Sequence, residues 1–421
     1  MKILLLNQCF YPDVAATGQY LTDLAVGLSE RGHSVTVITS DRGYDDPSRR
    51  FVRHEQWRGI RIIRIRSLSP GKEARWRRAV NFASFLMMLA LRLLISPRFD
   101  AVVALTSPPL ISFLAALFVQ LKGGKLFFWV MDLNPDEAFV SGWLKESTLT
   151  ARFLRFCLQH SLRLAERVIV LDRFMKQRIV KKGIAEAKVV VLPPWPLSEA
   201  VHYDNEGRQS FREQHSLGDK FVVMYAGNHS PCHPLNTLLA AALQLADRDS
   251  IAFCFVGGGS EQKTVRAFAA ENHLTNIVCL PYQSLDDLAG VLSAADLHAV
   301  VMGDQFVGIV HPCKIYNVLA VGSPFLYIGP EESHIADIAR SLKTEGSAFL
   351  ATHGAATLVA ELIIDCFDHS AARANLGAAV RTQSIGELAS RDTLLPMMID
   401  LLERASAARP IRATAISQSS V

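Results

Sequence analysis

The chain opens on a short apolar run, Lys2 to Leu6, followed by a loop that carries Pro12 and Gly18. From Gln19 to Arg31 apolar residues return every three or four positions, the spacing of an amphipathic helix, and Gly32-His33 ends it. A second strand is predicted at Ser34 to Thr39, and further short apolar runs stand at Ala101 to Leu105, Lys125 to Val130 and Arg167 to Leu171. Continuous apolar strands separated by helices predict a parallel sheet covered on both faces. At Leu192-Pro193-Pro194-Trp195-Pro196 the alternation breaks, because proline lacks the N–H that helix and sheet both need, and the polar stretch Tyr203 to Lys220 follows. Beyond it the pattern restarts. Strands are predicted at Phe221 to Tyr225, Ile251 to Val256, Ile277 to Leu280, Leu297 to Val301 and Phe325 to Ile328. Helices are predicted at Asn236 to Ala246, Glu261 to Ala270 and Lys314 to Ala320.

The expected architecture is α/β, with two Rossmann-like domains facing an interdomain cleft. The boundaries read as a first domain over 1–195, a linker over 196–220, a second domain over 221–385, a helix over 386–404 that returns toward the first domain, and a frayed tail over 405–421. Ligands of such sheets bind beyond the carboxyl ends of the strands, so both domains would present their loops to one cleft.

Composition narrows the class. With 421 residues, 50% hydrophobic and 20% charged, the chain can bury a large core. Its 44 basic and 40 acidic residues leave a formal charge of +4, too mild to indicate a nucleic-acid partner. The seven cysteines show no CxxC spacing and several lie in apolar runs, which favours reduced thiols over a zinc site. The first apolar run is too short for a signal-peptide core, so a cytoplasmic protein is expected. Ala79 to Ile95 is apolar but falls short of the roughly 20 residues of a membrane span and contains Arg92. Lys72, Arg75, Trp76, Arg77 and Arg78 lead into it, and the arginines from Arg49 to Arg66 precede them. Segment 72–95 therefore reads as a surface for an anionic membrane, with an ordinary core helix behind a solvated basic entry as the alternative. Within Ile60-Arg61-Ile62-Ile63-Arg64-Ile65-Arg66 some arginines read as the wet face of a strand.

Three features can carry chemistry. Tyr225-Ala226-Gly227-Asn228 and Gly257-Gly258-Gly259 each end a strand in glycine, where backbone N–H groups can approach a phosphate; a plain tight turn is the alternative. Pro312 suits the start of a helix, which puts Lys314 in the first turn. The helix dipole disfavours a cation there unless an anion is bound, so Lys314 is the expected diphosphate ligand, against the alternative of a solvated surface lysine. Asp132 follows an apolar strand, which places its carboxylate at a carboxyl end, although Asp132-x-Asn134-Pro135 is also a turn signature.

Taken together, the chain resembles bacterial GT-B glycosyltransferases of family 4, in the group of capsule and O-antigen N-acetylfucosaminyltransferase-like and colanic-acid-type enzymes. The likeness runs from Met1 to about Ala339 and rests on Phe10-Tyr11-Pro12-Asp13, Thr17-Gly18-Gln19, Gly32-His33-x-Val35 and Asp132-Leu133-Asn134-Pro135-Asp136. In the second half it rests on Tyr225 to Asn228, Gly257 to Gly259, Leu280-Pro281-Tyr282 and Pro312-x-Lys314. The resemblance implies a retaining transfer of an N-acetylated or deoxy hexose from a nucleotide sugar, expected to be UDP-linked, to a lipid-linked or glycan acceptor of cell-surface polysaccharide. It implies no metal or other cofactor, no nucleic acid, and a peripheral place on the inner membrane face.

Lys314 and Asp132 are the implied catalytic residues. Gly227, Asn228, His233 and Lys314 would hold the diphosphate, and Gly257, Gly258, Pro281, Tyr282 and Asn317 the base and ribose. Asp13, Thr17, Gly18, Gln19, Asn134 and Asp136 would face the acceptor. Many members of the wider family carry Arg and Lys where this chain has Asn228 and His233, and two glutamates where it has Ile309 and Asn317. With fewer cations, Lys314 would carry more of the diphosphate charge. A nucleotide-sugar 2-epimerase and a non-catalytic nucleotide-sugar-binding subunit are the alternative functions.

Overall fold

The computed structural model describes residues 1–13, 15–43, 48–68, 75–196, 201–342, 346–370 and 390–407. Two sheets organise them. The first holds β1 (Lys2–Leu6), β2 (Ser34–Ser40), β3 (His54–Trp57), β4 (Ile60–Ile65), β5 (Ala101–Ala104), β6 (Lys125–Trp129), β7 (Arg167–Val170) and β8 (Val189–Val191). Their order is β3-β4-β2-β1-β5-β6-β7-β8, parallel except for the β3–β4 hairpin. The second sheet is parallel throughout, in the order β11-β10-β9-β12-β13-β14. It holds β9 (Phe221–Ala226), β10 (Ile251–Val256), β11 (Ile277–Leu280), β12 (Leu297–Val301), β13 (Phe325–Ile328) and β14 (Ala348–Ala351). Strand order reverses between β1 and β5 and again between β9 and β12, the points where such sheets open a crevice at their carboxyl ends.

Helices cover both sheets: α1 (Ala16–Glu30), α2 (Arg75–Leu94), α3 (Ile111–Lys122), α4 (Asp136–Val140), α5 (Leu149–Leu164) and α6 (Arg173–Lys181) belong to the first lobe. The second carries α7 (Asn205–Gln214), α8 (Asn236–Gln244), α9 (Gln262–Glu271), α10 (Leu288–Ser293), α11 (Lys314–Val321), α12 (His334–Ser341) and α13 (Ala356–Asp368). One core cluster joins the lobes, running from Leu5, Phe127 and Trp129 to Ile315, Leu319 and Tyr327. The final helix, α14 (Arg391–Ala407), adds Leu395, Met398 and Ile399 to that cluster and lies on α1. Arg31 pairs there with Asp400 at 2.5 Å and Glu403 at 3.2 Å, and His33 meets Glu403 at 2.7 Å.

Four sequence expectations change. Helix α1 starts at Ala16, so Ala15 to Gln19 is a helix entry rather than a loop. The stretch read as linker contains α7, whose Arg208 and Arg212 both pair with Asp296. A Cβ on Gly207 would stand 2.6 Å from Gly290 Cα, so α7 crosses α10 backbone against backbone and belongs to the second lobe. Within α7 Phe211 is the buried apolar residue, joined past the helix by Leu217, which is why the pattern looked like a connector. Arg64 is no wet-face residue: it is 3% exposed and donates to Val52 O, Glu55 and Tyr11 O at 2.6–2.8 Å. The tail read from 405 begins inside α14, and residues 408–421 lie outside the described residues. Lys72 also lies outside them, as do the side chains of Arg75, Trp76 and Arg78. Among the described residues no helix is long and apolar enough to cross a membrane.

Candidate active site

The second lobe supplies the floor of the site. Strand β9 ends at Gly227 and α11 opens at Lys314, and the two meet: a Cβ at position 227 would lie 3.4 Å from Lys314 Nζ. The ammonium sits 3.7 Å from the centroid of the Tyr225 ring, is buried, and has no hydrogen-bond partner among the described residues. Burial alone pushes its pKa from 10.5 down to about 7. An unpaired buried cation is costly, and a bound anion would remove that cost. One turn along α11, Asn317 Oδ1 is likewise buried without a partner.

The two glycine motifs do a different job from the one expected. Gly257 has φ +131°, and a Cβ there would stand 2.1 Å from Gly227 O. The N–H groups of Gly227 and Gly257 donate to Val256 O and Leu280 O, which extends the ladder past the strand ends. These glycines therefore let neighbouring strand ends pack together beside Lys314. Gly258 serves a contact the sequence did suggest: a Cβ would lie 2.9 Å from the Tyr282 ring, which is 57% exposed beside Pro281 at the sheet edge. An exposed aromatic face at that edge can stack on a nucleobase. Asn228 is exposed at the rim, and its main-chain oxygen accepts from the Tyr225 hydroxyl at 2.8 Å.

His233 is a correction. It is buried, and its Nδ1–H donates to Val301 O at 2.7 Å. Burial, and then the Lys314 charge, push it down to about 3, so it remains neutral and adds no cation to a phosphate site. Beside it stands a residue the sequence did not single out. His229 donates Nδ1–H to Gly227 O at 3.0 Å, its Nε2 is buried without a partner, and burial with Lys314 pushes it down to about 4. Lys314 is thus the cation of this floor, flanked by neutral imidazoles.

The opposite wall comes from the loop after β6. Leu133 N–H donates to Ile309 O at 2.8 Å, which ties this loop to the one leading into α11. Burial, and then the charge of Glu137, hold the Asp132 carboxyl well above the usual carboxylate range. Burial raises Glu137 as well, against the lowering effect of Asn134, whose Nδ2 donates to Glu137 Oε2 at 3.2 Å. Both acids face thiols of the other lobe. Burial and Glu137 push Cys232 up to about 12, and burial and Asp132 do the same for Cys313. Glu137 lay outside the sequence reading because its neighbour Asp136 occupied the turn motif.

The remaining acceptor-side candidates are mostly engaged within their own lobe. Asp136 pairs with Lys182 at 2.6 Å, an intralobe tie rather than a group facing the cleft. A Cβ on Gly18 would stand 3.2 Å from Cys9 and Phe10, so its small size serves the packing of α1 on the loop after β1, not the approach of an acceptor. Thr17 Oγ1 accepts from Asn7 at 3.4 Å, and Asp13 is buried with its N–H on Phe10 O. Gln19 is half-buried on the first turn of α1. A cavity of about 590 Å³ lies beside the end of α4, lined by Ser141, Asn236, Thr237, Asp304, Gln305 and His353. These residues come from the start of α8 and from separate loops, and show no sequence motif.

A metal can be considered at Asp172, His311 and His334, which are buried with ligand atoms within 4.8 Å of one another. The two imidazoles, however, are stacked at 3.8 Å with 17° between planes. Nitrogen lone pairs lie in the ring plane, so near-parallel stacked rings cannot both aim at one ion at the usual ~2.0–2.1 Å bond length. The cluster does not fit a metal as arranged.

Residues 16–195 match the glycosyl transferase 4-like domain family. The chain is 25% identical over 339 residues to WcaI of Escherichia coli (strain K12), named as a glycosyl transferase of colanic acid biosynthesis, covering 76% of this chain and 82% of that protein. Its fold matches Anabaena Alr3699/HepE, crystallised with UDP and glucose, at TM-score 0.72 and 16% identity, covering 96% of this chain and 99% of that one. Sucrose-phosphate synthase from Thermosynechococcus elongatus gives TM-score 0.74 at 16% identity, with 97% and 100% covered.

Proposed function

We propose that this chain, which shares the fold of GT-B glycosyltransferases and matches the glycosyl transferase 4-like domain family over residues 16–195, transfers a sugar, with retention, from a UDP-sugar to a glycan or lipid-linked acceptor of cell-surface polysaccharide. The observation that carries this reading is the buried, unpaired Lys314 ammonium at the strand end of Gly227. Transfer breaks the bond between the anomeric carbon and the β-phosphate oxygen, and negative charge collects on the departing UDP. A preorganised cation at that point lowers the barrier. The acceptor oxygen bonds to the same face of the anomeric carbon, and its proton passes to the leaving phosphate. Tyr282 and Asn317 would orient the base and ribose. The Asp132–Glu137 pair, which retains a proton at neutral pH, would orient acceptor hydroxyls from the opposite wall, with the cavity beside α4 as room for the acceptor. In this scheme Lys314 meets the diphosphate charge without a divalent ion, and the donor is an N-acetylated or deoxy hexose as the resemblance implies.

A peripheral place on the inner membrane face is part of the proposal. Met87, Leu91 and Ile95 at α2, Leu121 of α3 and Phe153 and Phe156 of α5 are each more than half exposed. These helices adjoin one another, and exposed Arg98, Lys122 and Arg152 stand among the apolar residues. An apolar face with basic residues suits an anionic bilayer surface.

The test is UDP release from a panel of UDP-sugars with glycan and lipid-linked acceptors. Transfer releases UDP only with an acceptor, and Lys314→Ala lowers turnover about a hundredfold, the scale for losing one charge-stabilising donor. Sugar interconversion without acceptor would favour the 2-epimerase, and nucleotide-sugar binding without release would favour the non-catalytic subunit.

A further inference from the structure

The cluster that fails as a metal site joins the lobes in another way. Asp172 caps α6 in the first lobe, with Oδ1 accepting Met175 N–H at 2.8 Å. Its Oδ2 accepts Nδ1–H of His311, from the second lobe, at 2.8 Å. Burial by itself would raise the Asp172 carboxyl, but His311, His334 and the Met175 N–H bring it down to about 2, so it stays ionised. On its other side His311 Nε2 lies 2.8 Å from the Tyr316 hydroxyl, which donates to it in the Nδ1–H tautomer. The His311 and Tyr316 rings are parallel within 9°, and His334 stacks on His311 with centroids 3.8 Å apart. Lys314 lies between these two anchored residues, at the first position of α11.

We propose that Asp172, His311 and Tyr316 form a positioning relay across the lobe interface, which sets the first turn of α11 and thereby holds Lys314 against the donor diphosphate. The relay rests on the nucleotide-donor reading above and adds that the cation is in place only while the lobes are docked. The segment before α11 is also held by α6 itself. Arg178 donates to Val307 O at 2.5 Å, and a Cβ on Gly308 would stand 2.7 Å from the Phe174 backbone. Arg173 holds Asp337 of α12 through two bonds, at 2.6 and 3.0 Å, which fixes the helix that carries His334. A carboxylate of the acceptor lobe therefore reaches the first turn of α11 through one imidazole and one phenol. An amide at position 172 keeps the shape but loses the charge that selects the Nδ1–H tautomer. Phenylalanine at 316 removes a single hydroxyl and leaves His311 Nε2 unpaired.

Two measurements on the full chain decide it. In hydrogen exchange without nucleotide, Asp172→Asn and Tyr316→Phe each speed exchange of the 309–316 amides, while β9 and β10 stay protected; unchanged exchange in both variants overturns the relay, whatever the nucleotide. In titrations, each variant weakens UDP binding about tenfold or more but leaves uridine, which lacks the phosphates, unchanged. The double variant is no weaker than the singles. Equal losses for UDP and uridine, or additive losses in the double variant, would also overturn it, because they report general damage or independent contacts. Should Asp172→Asn fail to fold, Tyr316→Phe with the same UDP and uridine comparison carries the decision. If the native protein binds neither UDP nor uridine, the donor reading fails on its own account, and the exchange result still accepts or rejects the clamp.

Discussion

Replacing Lys314 with methionine should make the nucleotide-free protein more stable while weakening UDP binding. The ammonium is buried without a hydrogen-bond partner, and burial lowers its pKa from 10.5 to about 7. At about 1.4 kcal/mol per pKa unit, that depression corresponds to an upper limit of about 5 kcal/mol of destabilisation when the lysine is charged. The Tyr225 ring, 3.7 Å away, returns about 1–2 kcal/mol as a cation–π contact. The net gain for Lys314→Met is then roughly 3 kcal/mol near neutral pH, since methionine keeps most of the stem and drops the charge. The effect carries a pH signature. Between about 7 and 10.5 the unfolded chain holds a proton on this lysine that the folded protein has lost, so native stability rises with pH across that window. Urea unfolding at pH 7 and pH 9 should therefore show the advantage of the variant shrinking by about 2 kcal/mol at the higher pH. With UDP present the order should reverse, because the ligand stabilises only the native protein. A variant less stable than the parent without nucleotide, or an advantage independent of pH, would refute the claim that this cation is held in wait for an anion.

Other outcomes can be checked alongside. Asp132 and Glu137 have raised folded-state values, so the folded protein holds an extra proton that an unfolded chain loses above its ordinary carboxylate range. Their contribution to stability falls as pH rises from the ordinary carboxylate range toward about 8, where Asp132 loses its proton in the folded protein, and Asp132→Asn should flatten the decline between pH 5 and 8 in urea titrations; an unaltered profile would remove the pair from the buried wall. Replacing Leu91, Ile95 and Leu121 with serine should release the protein from anionic vesicles without loss of thermal stability, since all three are more than half exposed. Equal co-sedimentation of parent and variant would count against the membrane face.

The alternation of apolar strands and helices was enough to predict two Rossmann-like halves, because parallel strands buried on both faces must be apolar along their length. Strand positions such as Ile251–Val256 and Leu297–Val301 are observed as predicted, since local composition and burial there point the same way. Lys314 also stood out locally, as a cation at the end of a helix that repels it. Its surroundings did not. That Gly227, Tyr225 and His229 isolate it, and that His233 stays neutral, depend on how two strand ends and a helix pack, and no spacing along the chain encodes that. The same holds for Asp136, bound to Lys182, and for α7, whose contacts with Asp296 and Gly290 are distant in sequence.

The chain order alone therefore determined most of the core strands, the fold class and the charged position most at odds with its helix. Only the tertiary structure decided which polar groups lost water, which acquired partners and which stood alone. Desolvation depends on atoms brought together from remote segments: Asp172 meets His311 only after both sheets have formed and their lobes have docked. Local patterns report what each segment can become, and the cost of burying a charge is set by everything that closes around it.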